Sequence, residues 1–450
     1  MIYFLYLVFA IMVVCVELSR RKRVSLDYLT YFNVCFILGY VVTPALLYHY
    51  SEHGRYGRWI DEIFLLTLIA YLSAMGGWFL GGKAGVRQIA INDRSAVRIM
   101  SRYTILVVAI ALIYIMGKGG IVNFLSSGAL IRYRFEDATP TFVDFLKNVY
   151  SLAEIVTYVL FAMMLSGRHK SHRKVIGWSY LVVLALYVLY MLSTSSRGAF
   201  ANAFIIHSLL FIHFRGGFLR SAIPLLLSLV VLTVYGKQML FATASFIRGG
   251  SFVDAFIILN DTRDVGLQDN QVLEKIVKEF SHTIDSLVAV LSAGDAIQHT
   301  YFLDFFLSVL RVIPQRIMMQ FVDLPATISS TNTNLLIGEK IASIPPGLIA
   351  HFYHSLGLAG IVFGFLAYGF VGRRINENIA SAMKGDDIFY AIYVYTGLLF
   401  GIFVANGDPN VFFYDILWPI VMYFSLSASR KKLLQKKFAP VRSGIDKTNQ

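Results

Sequence analysis

The chain has 450 residues, 57% of them hydrophobic and only 15% charged, with a formal net charge of +13. A soluble domain carries roughly 25% charged residues, so the composition excludes an ordinary soluble protein and points to a bilayer. The basic excess does not indicate nucleic acid, because it gathers at the ends of apolar segments, where it sets the orientation of membrane spans.

Apolar runs predict eleven spans, over residues 2–18, 28–48, 63–81, 104–117, 148–166, 175–193, 199–214, 221–239, 347–371, 388–405 and 411–428. The expected fold class is an all-α polytopic membrane protein with about 11 transmembrane helices. Residues 1–239 and 347–428 form its membrane part, 240–346 a long external loop folded as a cap, and 429–450 a basic tail. The first run has no basic cluster before it, so it reads as a span rather than a cleaved signal peptide. Cys15 and Cys35 lie inside apolar runs and offer no disulfide or metal framework.

Loop charge tests this layout. Arg20–Arg23, Lys83–Arg102, Arg168–Lys174, Arg215–Arg220, Arg373–Lys384 and the tail from Arg430 fall on one side, with well over half of the 40 Lys and Arg residues. That side is expected to be cytoplasmic, with the N-terminus outside and the C-terminus inside.

On the external side, Arg132 and Arg134 point the same way if their segment is extended, and two such guanidinium groups can grip one anion. The plainer reading is a solvated pair balanced by Glu136 and Asp137. Ser195-Ser196-Arg197-Gly198 lies between the sixth and seventh spans. It offers either a guanidinium for a phosphate, with small neighbours allowing close approach, or an arginine snorkelling from a turn. Arg248, Arg311 and Arg316 read as further phosphate ligands or as ion-pair partners for the loop's carboxylates.

Within the cap, Leu273, Ile276, Val277, Phe280, Ile284, Leu287, Val288 and Leu291 recur at helical spacing after Asp269, a candidate N-cap. Glu279, His282 and Asp285 share another face, as a base for an attacking hydroxyl or simply as the wet side. Residues Tyr301 to Ile313 predict a second helix, apolar almost all round except for a row of Asp304, Ser308 and Arg311. Such a helix is expected to lie in the interface or dip back towards the spans.

His351 and His354 follow Pro345-Pro346-Gly347 at the start of the ninth span, where a histidine faces the bundle or a wet cavity. No third ligand stands at motif spacing, so zinc is not expected. Asp386-Asp387 lies in a short cytoplasmic loop. With no phosphate-cradling glycine loop, nucleophile elbow or thiol motif, a nucleotide-driven enzyme is disfavoured.

The layout resembles the O-antigen polymerases (the Wzy family of oligosaccharide repeat-unit polymerases). The likeness rests on Ser195-Ser196-Arg197-Gly198 at the top of a span, Ile313-Pro314-Gln315-Arg316 in a large loop before the last three spans, and Pro345-Pro346-Gly347 with Gly357 and Gly360 beyond. The resemblance implies a GT-C-like fold with a periplasmic loop in the bacterial inner membrane. It also implies a metal-independent, inverting glycosyltransferase that needs no cofactor. That enzyme moves a growing glycan from undecaprenyl diphosphate to an incoming undecaprenyl-diphosphate-linked repeat unit, with a chain-length regulator protein as a partner. A diphosphate leaving group needs cations, and arginine supplies them without titrating. Arg197 is the first choice, followed by Arg132, Arg134, Arg248, Arg311 and Arg316, with His354 as a further substrate contact. The base candidates are His282, Glu279 and His351. The alternatives are an O-antigen ligase and a lipid-linked oligosaccharide flippase. The flippase is disfavoured because neither repeat symmetry nor a broken helix is visible in the sequence.

Overall fold

In the computed structural model the chain is described over residues 2–20, 26–50, 54–82, 93–132, 146–261, 281–294, 299–311, 325–338, 344–383, 386 and 388–437. Among these residues the regular structure is entirely helical. The first half contains α1 (Ile2–Ser19), α2 (Tyr28–His49), α3 (Ile60–Leu80), α4 (Asp93–Gly117), α5 (Ile121–Arg132), α6 (Leu146–Ser166), α7 (Arg173–Thr194) and α8 (Arg197–Arg215). There follow α9 (Phe218–Ile247), α10 (Phe252–Asp261), α11 (His282–Ala293), α12 (Leu303–Arg311) and α13 (Ile328–Ile337). The chain closes with α14 (Leu348–Met383), α15 (Ile388–Asn406) and α16 (Pro409–Lys437).

Ten of these helices are long and apolar enough to cross a membrane, counted among the described residues. The protein is therefore a polytopic, all-helical membrane protein. Each of the eleven expected spans coincides with a helix. The one outside the ten is α9, 30 residues long, in which Ala222–Leu232 and Gln238–Ile247 are apolar but short. Several helices outrun their apolar runs. Helix α4 starts at Asp93 and α14 reaches Met383, because arginine, glutamate and alanine prolong a helix past the hydrophobic stretch, and α9 continues to Ile247 through a further short apolar run.

Helix α15 is the centre, with 89% of its apolar window buried. It packs on α2, α6, α8, α14 and α16. At its start Tyr390 stacks on His213 near the end of α8, with ring centroids 3.5 Å apart. At its end the Asn406 carbonyl accepts a hydrogen bond from the Gly347 amide at 3.0 Å. The two ends of α15 thus fix the two ends of the bundle.

Helix α14 is not continuous. Leu356 (φ −157°, ψ 33°) and Gly357 (φ 59°, ψ −144°) leave helical geometry, and the positive φ is one that glycine adopts without a Cβ penalty. The expectation of no broken helix is overturned here. A single glycine inside an apolar run carries no signal strong enough to reveal a break. The carbonyls released by it are satisfied from the segment before α12: His299 Nδ1 lies 3.1 Å from the His354 carbonyl, and the Tyr301 amide donates to the Ser355 carbonyl at 3.0 Å. The break thereby anchors α12 against α14.

Beyond the break α14 runs along α3 at a separation only small residues permit. A Cβ on Gly77 would overlap the Leu366 carbonyl, and one on Gly369 would overlap the Ala74 carbonyl, whereas a Cβ on Gly76 would meet nothing within 4 Å. Gly369→Leu is expected to lower stability by at least about 2 kcal/mol through overpacking. Gly76→Ala should be neutral or gain up to about 1 kcal/mol from helix propensity. Thermal unfolding of the two purified variants against the parent checks both signs.

Candidate functional site

The nearest thing to a built site lies where α12, α14 and the turn between α15 and α16 meet. Helix α12 is amphipathic in the reverse sense. Its polar row is buried, with Asp304 5% and Ser308 1% exposed, while Leu303, Phe306 and Val309 are 53%, 72% and 54% exposed. An outward apolar face suits hydrocarbon or interface rather than water, as the sequence suggests for this segment. The inward row carries chemistry into the protein.

His351 is fully buried on the first half of α14. Its Nδ1 lies 2.7 Å from the Gly407 carbonyl. A carbonyl only accepts, so Nδ1 carries the proton and the neutral ring keeps a lone pair on Nε2. That Nε2 faces Asp304 Oδ2 at 3.8 Å, and neither atom has a hydrogen-bond partner among the described residues. Two buried acceptors facing each other are costly, and a proton gained by the imidazole would turn the contact into an attractive one. Phe305 stacks on the imidazole at 5.2 Å with planes 13° apart, fixing its orientation. One turn further along α14, His354 is 5% exposed with Nδ1 unpartnered among the described residues.

Arg311 closes the row. Its Nη1 donates to Asn410 Oδ1 at 3.4 Å, Nη2 donates to the Pro325 carbonyl, and its own carbonyl accepts from the Tyr414 hydroxyl. Asn410 is held by Asp408 Oδ1 through its amide at 2.8 Å and its side chain at 3.0 Å, and Asp408 also accepts from the Ser329 hydroxyl. Arg311 makes no ion pair with a carboxylate among the described residues. Among the described residues its guanidinium is thus oriented by neutral acceptors, with the Asp408 carboxylate one hydrogen bond further away through Asn410, an arrangement that leaves donors for an anion. Seven residues separate Arg311 from Asp304, which sets their Cα atoms about 10 Å apart on one helix face.

Below this cluster is an apolar cavity of about 400 Å³, lined by aromatic residues including Phe302, Phe305, Phe352, Tyr368, Phe403 and Phe412. Val371 and Ile420 also line it and are 48% and 40% exposed, so it opens sideways. Phe305 belongs to both the cavity and the His351 stack. Phe305 is thus the link between the cavity and the Asp304–His351 pair.

Other sequence candidates lie elsewhere or apart. Arg197 opens α8 after Ser195 (φ 48°) and the N-cap Ser196, whose hydroxyl accepts from the Ala199 amide at 3.3 Å. Its stem lies over Gly236 of α9. Arg248 donates from Nε to Ser126 on α5 at 2.7 Å. Both therefore belong to the α5–α8–α9 side. His282 Nε2 faces the Ala405 carbonyl at 3.3 Å, and Asp285 accepts from the Tyr56 hydroxyl at 2.7 Å. That row is half-buried and engaged with protein. Arg132 ends α5, but its side chain lies outside the described residues, as do Arg134, Glu279 and Arg316 entirely.

Asp408, Asn410 and Ser329 were not legible as site residues, since Asn406-Gly407-Asp408-Pro409 reads as an ordinary turn between spans. The intramembrane Glu154, which accepts from the Tyr158 hydroxyl at 3.0 Å, was also not singled out. A carboxyl inside a span is itself the signal that could have marked it. No protein-family model, curated protein or solved structure matches the chain.

Proposed function

We propose that the chain is a polysaccharide polymerase of the inner membrane, a GT-C-like inverting glycosyltransferase. It transfers a growing glycan from undecaprenyl diphosphate to the next lipid-linked repeat unit on the periplasmic side. The observation that carries this reading is the presence around α12 of three elements: a sideways-opening apolar cavity, an arginine with no carboxylate partner among the described residues, and a buried His–Asp pair joined to the cavity through Phe305. The cavity is smaller than a whole polyprenyl chain. It would seat the isoprene units next to the diphosphate and leave the rest in the bilayer.

In this mechanism the acceptor hydroxyl gives its proton to His351 Nε2 while its oxygen attacks the anomeric carbon of the donor glycan. The carbon–oxygen bond to the diphosphate breaks, and that group leaves with the electron pair towards Arg311. Asp304 faces the nitrogen that takes the proton and stabilises the positive charge that forms on the ring, while the Gly407 carbonyl holds Nδ1–H. The dyad supplies proton transfer and the guanidinium supplies charge stabilisation where it develops.

A second reading, transport of a lipid-linked oligosaccharide, is favoured by the break in α14, since transporters place broken helices at their substrate sites. One experiment separates the two. Purified protein in liposomes, given undecaprenyl-diphosphate-linked repeat units, is expected to lengthen the glycan into a ladder. Movement of the lipid across the bilayer with no lengthening would favour the transporter and reject the polymerase.

A further inference from the structure

At the opposite end of the bundle, where α15 starts, lies a second pocket, of about 370 Å³. We infer that it binds a phosphate group, presented by an anionic lipid headgroup or as free phosphate. The inference does not depend on the polymerase reading.

The pocket lies between the end of α6, the turn after it, the start of α7 and the end of α8. Lys170, Arg173 and Arg215 line it together. None of the three forms an ion pair with a carboxylate among the described residues. Three like charges around one cavity repel each other, and an anion between them reverses the sign of that interaction. Arginine and lysine together match a phosphate's oxygens with many donors.

His169 is the second observation. It lines the same pocket, is only 4% exposed, and its two ring nitrogens have no hydrogen-bond partner among the described residues. Beside the three basic groups of the pocket, Asp93 at the start of α4 faces it, with Oδ1 3.6 Å from Nδ1, too long for a hydrogen bond. A buried imidazole with an unused Nε2 is a costly arrangement that a phosphate oxygen would satisfy.

Met163 and Ile176 add apolar lining, and Trp178, two residues after Ile176 on α7, is 70% exposed. A tryptophan displayed outward at the end of a span marks headgroup depth. Basic pockets between helix ends at that depth are where anionic headgroups are recognised.

The test uses the full chain in detergent and reads its unfolding temperature against added probe. Three probes are compared: phosphatidylglycerol, phosphatidylcholine, and inorganic phosphate against chloride at equal ionic strength. Saturable stabilisation by phosphatidylglycerol alone identifies a lipid headgroup, and the same by inorganic phosphate identifies the free anion. In either case Arg173→Gln is expected to weaken binding about tenfold, the loss of one charge-assisted hydrogen bond. Lys174→Gln removes the same charge from the adjacent residue, which does not line the pocket, and should leave binding unchanged. Arg215→Gln repeats the test from α8, and both arginines are exposed, so neither variant removes core packing. No saturable shift with any probe, or equal weakening by Arg173→Gln and Lys174→Gln, overturns the site.

Discussion

His351→Asn is expected to stop glycan lengthening, with turnover falling about a hundred- to ten-thousandfold while lipid-diphosphate binding persists. Asparagine places its amide N–H where Nδ1 stood, so the bond to the Gly407 carbonyl survives and the buried position stays satisfied. What disappears is the Nε2 lone pair facing Asp304. Asp304→Asn keeps the shape of the pair and removes its charge, so it should lower turnover by a smaller factor. Neither residue lines the aromatic cavity, and although His351→Asn gives up the ring stacked on Phe305, donor binding, measured on the same preparations, should stay near the parent value. His282→Gln is the counterpart on the cap. Its amide can still donate to the Ala405 carbonyl, and activity should be largely retained. A normal ladder from well-folded His351→Asn, together with a dead His282→Gln, would move the base to the cap.

The spans were legible because hydrocarbon tolerates few alternatives to long apolar helices. Residues such as Ile388 to Asn406 announce themselves by composition alone. The polar row of α12, Asp304, Ser308 and Arg311 at helical spacing in an apolar segment, was legible too, although its burial was not. The break at Gly357 was not, because a glycine within an apolar run is as consistent with close helix packing as with a changed backbone. Gly360, Gly364 and Gly369 nearby do serve packing. Nor was the partnership of Asp304 with His351, which joins two segments 47 positions apart through the folded path of the chain. Sequence spacing reports neighbours on one helix and is silent about which helices meet. For the same reason the arginines could be gathered from the sequence as one set, although the structure divides them. Arg311 lies with the histidine pair, while Arg197 and Arg248 lie with α5 and α9.

That division makes the arginines unequal, and Arg311→Ala is expected to cost the most. If Arg311 stabilises the departing diphosphate, its removal should raise the barrier by about 2–4 kcal/mol, a rate loss of roughly thirty- to a thousandfold. Arg311→Lys keeps the charge but cannot bridge Asn410 and the Pro325 carbonyl while presenting further N–H groups to phosphate, so it should recover only part of that loss. Because the diphosphate is already present in the bound donor, affinity should weaken along with turnover, unlike in His351→Asn. Asn410→Ala releases one support of the guanidinium and should show a milder form of the same pattern. Arg248 is already engaged by Ser126, and Arg248→Ala should leave the ladder close to normal. In cells, a polymerase that loses Arg311 should leave surface glycan capped with single repeat units, since attachment of one unit requires no lengthening. A stable Arg311→Ala protein that builds a full-length ladder, beside an Arg197→Ala protein that builds none, would transfer the leaving-group role to the turn before α8.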